Sequence, residues 1–188
     1  MDVDDTGSRP TGDNADLFRQ AFRRHAATVV VLTYVDSDGL PCGMTATSMC
    51  SLSADPASLL ACVNREARAH AEITAQGRFG VNMLSIGQRP IADYCSRLGI
   101  HKRIRDAWLA LDRPPDATPR LRDALAHLEC QLDTSYVAYS HSIFLGLIQS
   151  VWLNPQDAAP LLYHGGIYSQ LESPAERTER FHWELHED

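Results

Sequence analysis

The stretch ATVVVLTYV at 27–35 limits the fold of this chain more than any other part of it. Six of its nine residues are β-branched, and such side chains lose rotamer freedom against a helical turn but pack well on a pleated surface. The run is a strand. Asp36-Ser37-Asp38-Gly39 follows as a hairpin turn, because Asp-Gly tolerates the positive φ angles that such turns need. The chain returns as LPCGMTATSMCSLS (40–53), turns at Asp55-Pro56 and continues as a buried strand, SLLACVN (58–64).

Further strands are RFGVNML (78–84), HLECQLDTSYVAY (127–139), SIFLGLIQSVWL (142–153) and a short LLY (161–163). Asp13 or Asn14 caps a helix in which Leu17, Phe18, Ala21, Phe22 and His25 recur at helical spacing. A second helix over 66–76 ends at Gly77, and a third over 86–98 accommodates Pro90 in its first turn. Gly99 to Pro119, with scattered charges and little periodicity, is a long excursion between strands. Steady alternation of strand and helix is missing, which argues against a doubly wound parallel sheet. The expected fold is mainly β with appended helices, a closed antiparallel barrel. Residues 1–13 are expected to be a disordered leader, 14–172 one domain and 173–188 a polar tail.

With 188 residues the chain can bury a substantial core without metal or disulfide staples. Seventeen basic against 24 acidic residues leave a formal charge of −7, which suits neither nonspecific nucleic-acid binding nor a membrane surface. No apolar run approaches the roughly 20 residues of a membrane-spanning helix. The acidic, polar start lacks the pattern of a secretory signal, so the expected address is the cytoplasm. Cys42, Cys50, Cys62, Cys95 and Cys130 are odd in number and form no CxxC pair. They read as reduced core thiols, not as a zinc site or a nucleophile. His182 and His186 stand four apart in the tail without a third ligand, and no metal is expected.

The dinucleotide-binding glycine fingerprint, the phosphate-binding P-loop and the nucleophile elbow are all missing. Three features remain. Gly43-Met44-Thr45-Ala46-Thr47-Ser48, with Ser51 and Ser53 beyond, combines small side chains and short hydroxyls. Such a strand lets a flat ligand approach the backbone, and equally suits an exposed edge. Asn64-Arg65, with Arg68 and His70 at a helix start, offers amides and guanidinium groups to an anion, or else a solvated face. His141 opens an apolar strand, where it could orient a cofactor ring or simply mark a strand edge.

Taken in order, these stretches resemble the short-chain flavin reductases, the reductase components of two-component flavin-dependent monooxygenases. The matching segments are FRQAFRRHAATVVVLTYVDSDGLPCGMTATSMCSLSADP, LLACVNREARAH, GRFGVNMLSIGQRPIADYCS, LEC at 128–130, HSIFLGLI at 141–148 and PLLYHGGIYSQL at 160–171. The resemblance implies a flavin-binding split β-barrel that works as a homodimer and uses NADH, or NADPH, to reduce FAD or FMN. The reduced flavin would diffuse to a partner monooxygenase. It further implies that Thr45, Ala46, Thr47 and Ser48 contact the flavin ring and ribityl chain, with Ser53 facing the same pocket. Asn64, Arg65 and His70 fall at the flavin phosphates, Asn82 matches an F-x-V-N pattern, and Tyr168 lies near the nucleotide. His141 corresponds to the His of a Gly-Asp-His motif beside the nicotinamide.

The chain departs from the family pattern in three places. Tyr139-Ser140 replaces Gly-Asp, Lys102-Arg103-Ile104 replaces Asp-Arg-Phe, and Ala67 and Ala69 stand where hydroxyl residues are common. Two alternative activities keep the same barrel. One retains its flavin as a sensor or electron carrier, and the other is an oxidase with tightly bound FMN.

Overall fold

The computed structural model describes residues 12–171 apart from 113, 115 and 157. Helix α1 (Gly12–Arg23) leads into β1 (Ala27–Thr28), β2 (Val30–Val35), β3 (Pro41–Ala46), β4 (Met49–Ala54) and β5 (Ala57–Asn64). After α2 (Arg68–Gln76) come β6 (Arg78–Met83), a 3-10 turn at Ile86–Gln88 and α3 (Arg89–Ser96). A further 3-10 turn at Asp106–Trp108 precedes β7 (Ala126–Ala138), β8 (His141–Leu153), β9 (Leu162–His164) and β10 (Ile167–Ser169). Helix α1 thus starts ahead of the expected cap at Asp13 or Asn14. The expected helix over 86–98 divides into the 3-10 turn and α3, with Pro90 in the first turn of α3. His182 and His186 lie outside the described residues.

Seven strands form one antiparallel sheet in the order β3-β2-β6-β7-β8-β5-β4, and β1, β9 and β10 form a second, small one. The expectation of a closed barrel is therefore corrected: the large sheet has two free edges, β3 and β4. These edge strands are consecutive in sequence and do not pair. Only Thr47 and Ser48 separate them, so three peptide units, spanning at most about 11 Å, carry the chain from one edge to the other. The sheet is curled until its edges meet at that corner and is split along the seam. The stretch 40–53, expected to return as one piece, is two strands for this reason.

Strand β2 is buried on both faces. Val30, Leu32 and Tyr34 face the barrel interior with Leu59, Val63, Ile73, Phe79, Val81 and Phe144. Val29 and Val31 face outward into a second core with Leu84 after β6, Ile91 and Cys95 of α3, Ile104 of the excursion and Leu121 just beyond it. Each such side chain contributes roughly 1.5–3 kcal/mol on burial. The excursion is thus a wall of the domain. Ile104 N–H donates to Pro41 O (2.7 Å) and Gly43 N–H to Lys102 O (3.1 Å), which fastens it along the β3 edge. Gly43 is needed there, because a Cβ would come within 2.9 Å of Val31 Cγ1 and 3.1 Å of Ile104 Cδ1.

All five thiols are free; Cys42, Cys95 and Cys130 are core residues as expected, whereas Cys62 is half-buried and Cys50 exposed. Cys50 points outward from the edge strand β4, where burial on both faces ends. The apolar residues of α1 lie open: Leu17, Phe18 and Phe22 are each about 60% exposed. No candidate membrane span occurs among the described helices.

Candidate active site

Two hollows meet at the β3 edge. The larger, about 650 Å³, is floored by Gly43, Met44 and Thr45 and walled by Asn64 and Glu66–Ala69 at the start of α2 and by Leu98–Lys102 from the excursion. The smaller, about 350 Å³, lies between Thr45-Ala46-Thr47, Asp93 and Ser96 of α3, and Tyr163, Gly166 and Tyr168 of the small sheet. Thr45 and Ser96 line both. The split places the site: only at an unpaired edge do Thr45, Ala46 and Thr47 leave backbone and short side chains free for a ligand.

Thr45 Oγ1 donates to Ala92 O of α3 (2.8 Å), so towards a ligand it offers lone pairs rather than its proton. Ser48 Oγ donates to Cys62 O (2.9 Å) while Cys62 N–H donates to Ser48 O, locking the corner where the chain changes edge. Tyr168 stacks edge-on against Tyr163 (5.4 Å) and lies under the Arg89 guanidinium. Burial, followed by the charge of Asp93, holds its hydroxyl above the usual range.

Asn64 lines the larger hollow, and its Oδ1 accepts from Glu66 N–H (2.9 Å) at the turn into α2. That helix starts at Ala67 with no side-chain cap, the structural counterpart of the missing hydroxyl. Arg65 reaches across to the β7–β8 turn, its backbone N–H donating to Ser140 O (3.0 Å) and its guanidinium to Tyr139 O (3.3 Å). Asn64 pairs directly with His141 in the β5–β8 ladder. His141 is exposed, with Nδ1 2.9 Å from Ser140 Oγ. Tyr139 takes φ +56°, the left-handed region, which explains why glycine suits this place in the family.

Six of the expected site residues are absent from the linings of both hollows: Ser48, Arg65 and His141, described above, and His70, Ser53 and Asn82. His70 turns inward, with Nε2 2.9 Å from Ser142 Oγ and its ring 5.1 Å from Phe144. Desolvation, then the charge of Arg65, lowers its pKa. Ser53 closes its own turn with Asp55, accepting from Asp55 N–H and donating to Asp55 O. Asn82 is fully buried, and its amide is spent inside the protein. Its Nδ2 donates to Thr33 Oγ1 (3.1 Å), and its Oδ1 accepts from Leu121 N–H (2.8 Å) and His127 Nδ1 (3.1 Å).

One group of side chains at the larger hollow was not legible in the sequence. Asp36, read there as a turn residue, has a fully buried carboxylate. Its Oδ1 accepts from Asp38 N–H and Leu40 N–H, and its Oδ2 meets Arg68 Nη2 (3.3 Å) and His101 Nε2 (2.8 Å). Against the desolvation that opposes its charge, these bonds lower its pKa. Cys42 Sγ lies 3.1 Å from the same His101 nitrogen. Burial, followed by the charge of Asp36, pushes this thiol up to about 12. Lys102 completes the basic wall, and desolvation lowers its pKa.

An open-edged split barrel, with small hydroxyl residues along the open edge and a basic wall beside it, belongs to the class of proteins that receive a flat, phosphate-bearing ligand. The chain is a member of the flavin reductase like domain family, whose model matches residues 22–172. It is 32% identical over 160 residues to the FMN reductase (NADH) RutF of Methylorubrum extorquens, covering 84% of this chain and 76% of that protein. It is 29% identical to HsaB, the reductase subunit of a flavin-dependent monooxygenase of Rhodococcus jostii, covering 88% and 86%. Its fold superposes on the Streptomyces globisporus NADH:FAD oxidoreductase SgcE6, solved with NAD and FAD fragments. That match has a TM-score of 0.77 at 29% identity and covers 90% of this chain and 99% of that one.

Proposed function

We propose that this protein is an NAD(P)H-dependent flavin reductase that hands diffusible reduced FMN or FAD to a partner flavin-dependent monooxygenase. The observation that carries the reading is the junction of two hollows over the small-residue edge Gly43–Thr47, in a chain of this family. The residues present fit a flavin. Thr45, Ala46 and Thr47 leave room for a ring against backbone, and Tyr168 closes the far side. Asn64, with the uncapped start of α2 and Lys102, offers donors and positive charge to phosphate oxygens. Bound flavin supplies the hydride acceptor, so the chain needs no nucleophile of its own. Its residues hold the two rings in register and limit access of water.

His141 is the candidate catalytic residue, to orient the nicotinamide; its pairing with Asn64, which lines the larger hollow, supports the assignment. Arg65 is a positioning residue, since it grips the turn that carries His141. The chain would act in the cytoplasm as a homodimer, and the uncovered face of Leu17, Phe18 and Phe22 on α1 supports such pairing. A second reading, a flavoprotein that retains its flavin as a sensor, electron carrier or oxidase, draws on Tyr139-Ser140 ahead of His141.

NADH oxidation by purified protein, with and without added FMN or FAD, separates the two. Oxidation dependent on free flavin supports the reductase; tightly held flavin with no oxidation of NADH or NADPH overturns it. His141→Ala should slow flavin reduction more than it weakens flavin binding, and equal losses in both would remove His141 from this role.

A further inference from the structure

The geometry points to a binding site for one thiophilic divalent cation, of the zinc class, formed by the buried Asp36 and Cys42 with His101, which lines the larger hollow. One oxygen, one sulfur and one ring nitrogen of these residues converge within 4.8 Å of one another. They come from three places in the chain: the start of the β2–β3 turn, the second residue of β3, and the excursion.

The bonds among them are unlike a proton relay. In a nucleophilic triad the carboxylate and the nucleophile take opposite nitrogens of the imidazole. Here Asp36 Oδ2 (2.8 Å) and Cys42 Sγ (3.1 Å) share the same Nε2, and sulfur and oxygen are 3.6 Å apart. Three donors facing one point form a chelating triangle. Typical zinc bonds to sulfur, nitrogen and oxygen of about 2.3, 2.0 and 2.0 Å set triangle edges of about 3.3–3.6 Å in a tetrahedral site. His101 therefore has to withdraw by about half an ångström, and as the exposed, loop-borne member it is free to do so.

The surroundings fit the charge. Asp36 Oδ1 is tied back by two backbone N–H groups, so Oδ2 is presented in a fixed direction, the orienting support that metal ligands commonly have. A dication would be balanced by the carboxylate and a thiolate, the thiol proton leaving to solvent. Arg68 would give up Asp36 yet keep Glu72 (3.3 Å) and Asp38 (3.9 Å). The fourth position would be left to a water on the side of the exposed His101. Bound metal would pin the wall Leu98–Lys102 to the β2–β3 hairpin, a role independent of flavin chemistry.

The test is titration of chelator-treated protein with Co2+, which gives a near-ultraviolet thiolate-to-metal band when bound by cysteine. The expected result is a band saturating at one equivalent, kept in Cys50→Ser and lost in Cys42→Ser. In His101→Ala, whose site is half exposed, affinity should fall at least tenfold with the fold intact. Zn2+ should displace Co2+ and raise the melting temperature of the wild type but not of His101→Ala. No thiolate band, a band that persists in Cys42→Ser, or unchanged affinity in His101→Ala would overturn the site.

Discussion

Replacing Asn82 by alanine separates a role in the fold from a role in the ligand. In the family pattern this Asn counts among the cofactor residues, whereas here it bonds only to protein. Truncation leaves the buried Leu121 N–H and His127 Nδ1–H without their shared acceptor Oδ1. An orphaned buried donor costs about 1–3 kcal/mol. The acceptors of Nδ2 lose less, because Thr33 Oγ1 still donates to Pro119 O (2.6 Å). Two orphans and a small cavity together give a loss of about 4 kcal/mol. For a chain of this size that lowers Tm by about 8–16 °C. Urea titration at neutral pH measures it, and flavin titration on the folded fraction supplies the second readout, expected to stay within twofold of wild type. A stability loss below about 1 kcal/mol, or a flavin affinity that collapses while stability holds, would refute this account.

Three further outcomes follow from the same structure. Burial, aided by the charge of Arg120, lowers the pKa of His127 from 6.5 to about 4. The unfolded chain therefore binds the extra proton between these values, and stability falls as pH drops from 6.5 to 4, by roughly 3 kcal/mol in total. His127→Gln should flatten that part of the stability–pH curve, and an unchanged slope would contradict the assignment. Tyr139→Gly should raise stability by about 1 kcal/mol, since a non-glycine residue at positive φ costs about 1–2 kcal/mol and glycine loses part of that gain to unfolded-state entropy; a lower denaturation midpoint would speak against strain at this turn. Ala67→Ser should cap α2 and add about 1 kcal/mol, read as a higher denaturation midpoint, and no rise would mean that the new hydroxyl does not reach the helix amides.

Local chemistry made much of the fold legible. The β-branched run at 27–35 was legible as a strand, and two separate cores cover it. Gly77 ends α2 at φ +68° as a left-handed cap. The break at Thr47-Ser48 was not legible, because Thr47 favours strands and the small hydroxyl residues run on without interruption on either side. Only the long-range partners of β3 and β4 turn that corner into a seam. The site divides in the same way: Thr45, Ala46, Thr47, Asn64 and Tyr168 share the two hollows, as small or terminal residues on an open edge should. Asn82 reads like a polar residue in an apolar strand, which is equally the signature of a buried hub. Asp36, Cys42 and His101 are drawn together by the excursion, whose path leaves no periodicity to read.

The seam also sets the order in which the chain can be completed during synthesis. Strand β5 forms a hairpin with β4 at once, but its other edge belongs to β8. The pair Asn64 and His141 lies 141 − 64 = 77 residues apart. At about 5–20 residues per second, the apolar edge of β5 waits roughly 4–15 s for its partner to emerge. The 13-residue strands β7 and β8, by contrast, meet across a two-residue turn. Closure of the barrel is thus a late, non-local event, and until it happens the nascent chain carries a sticky strand edge that a chaperone or a second nascent chain can reach.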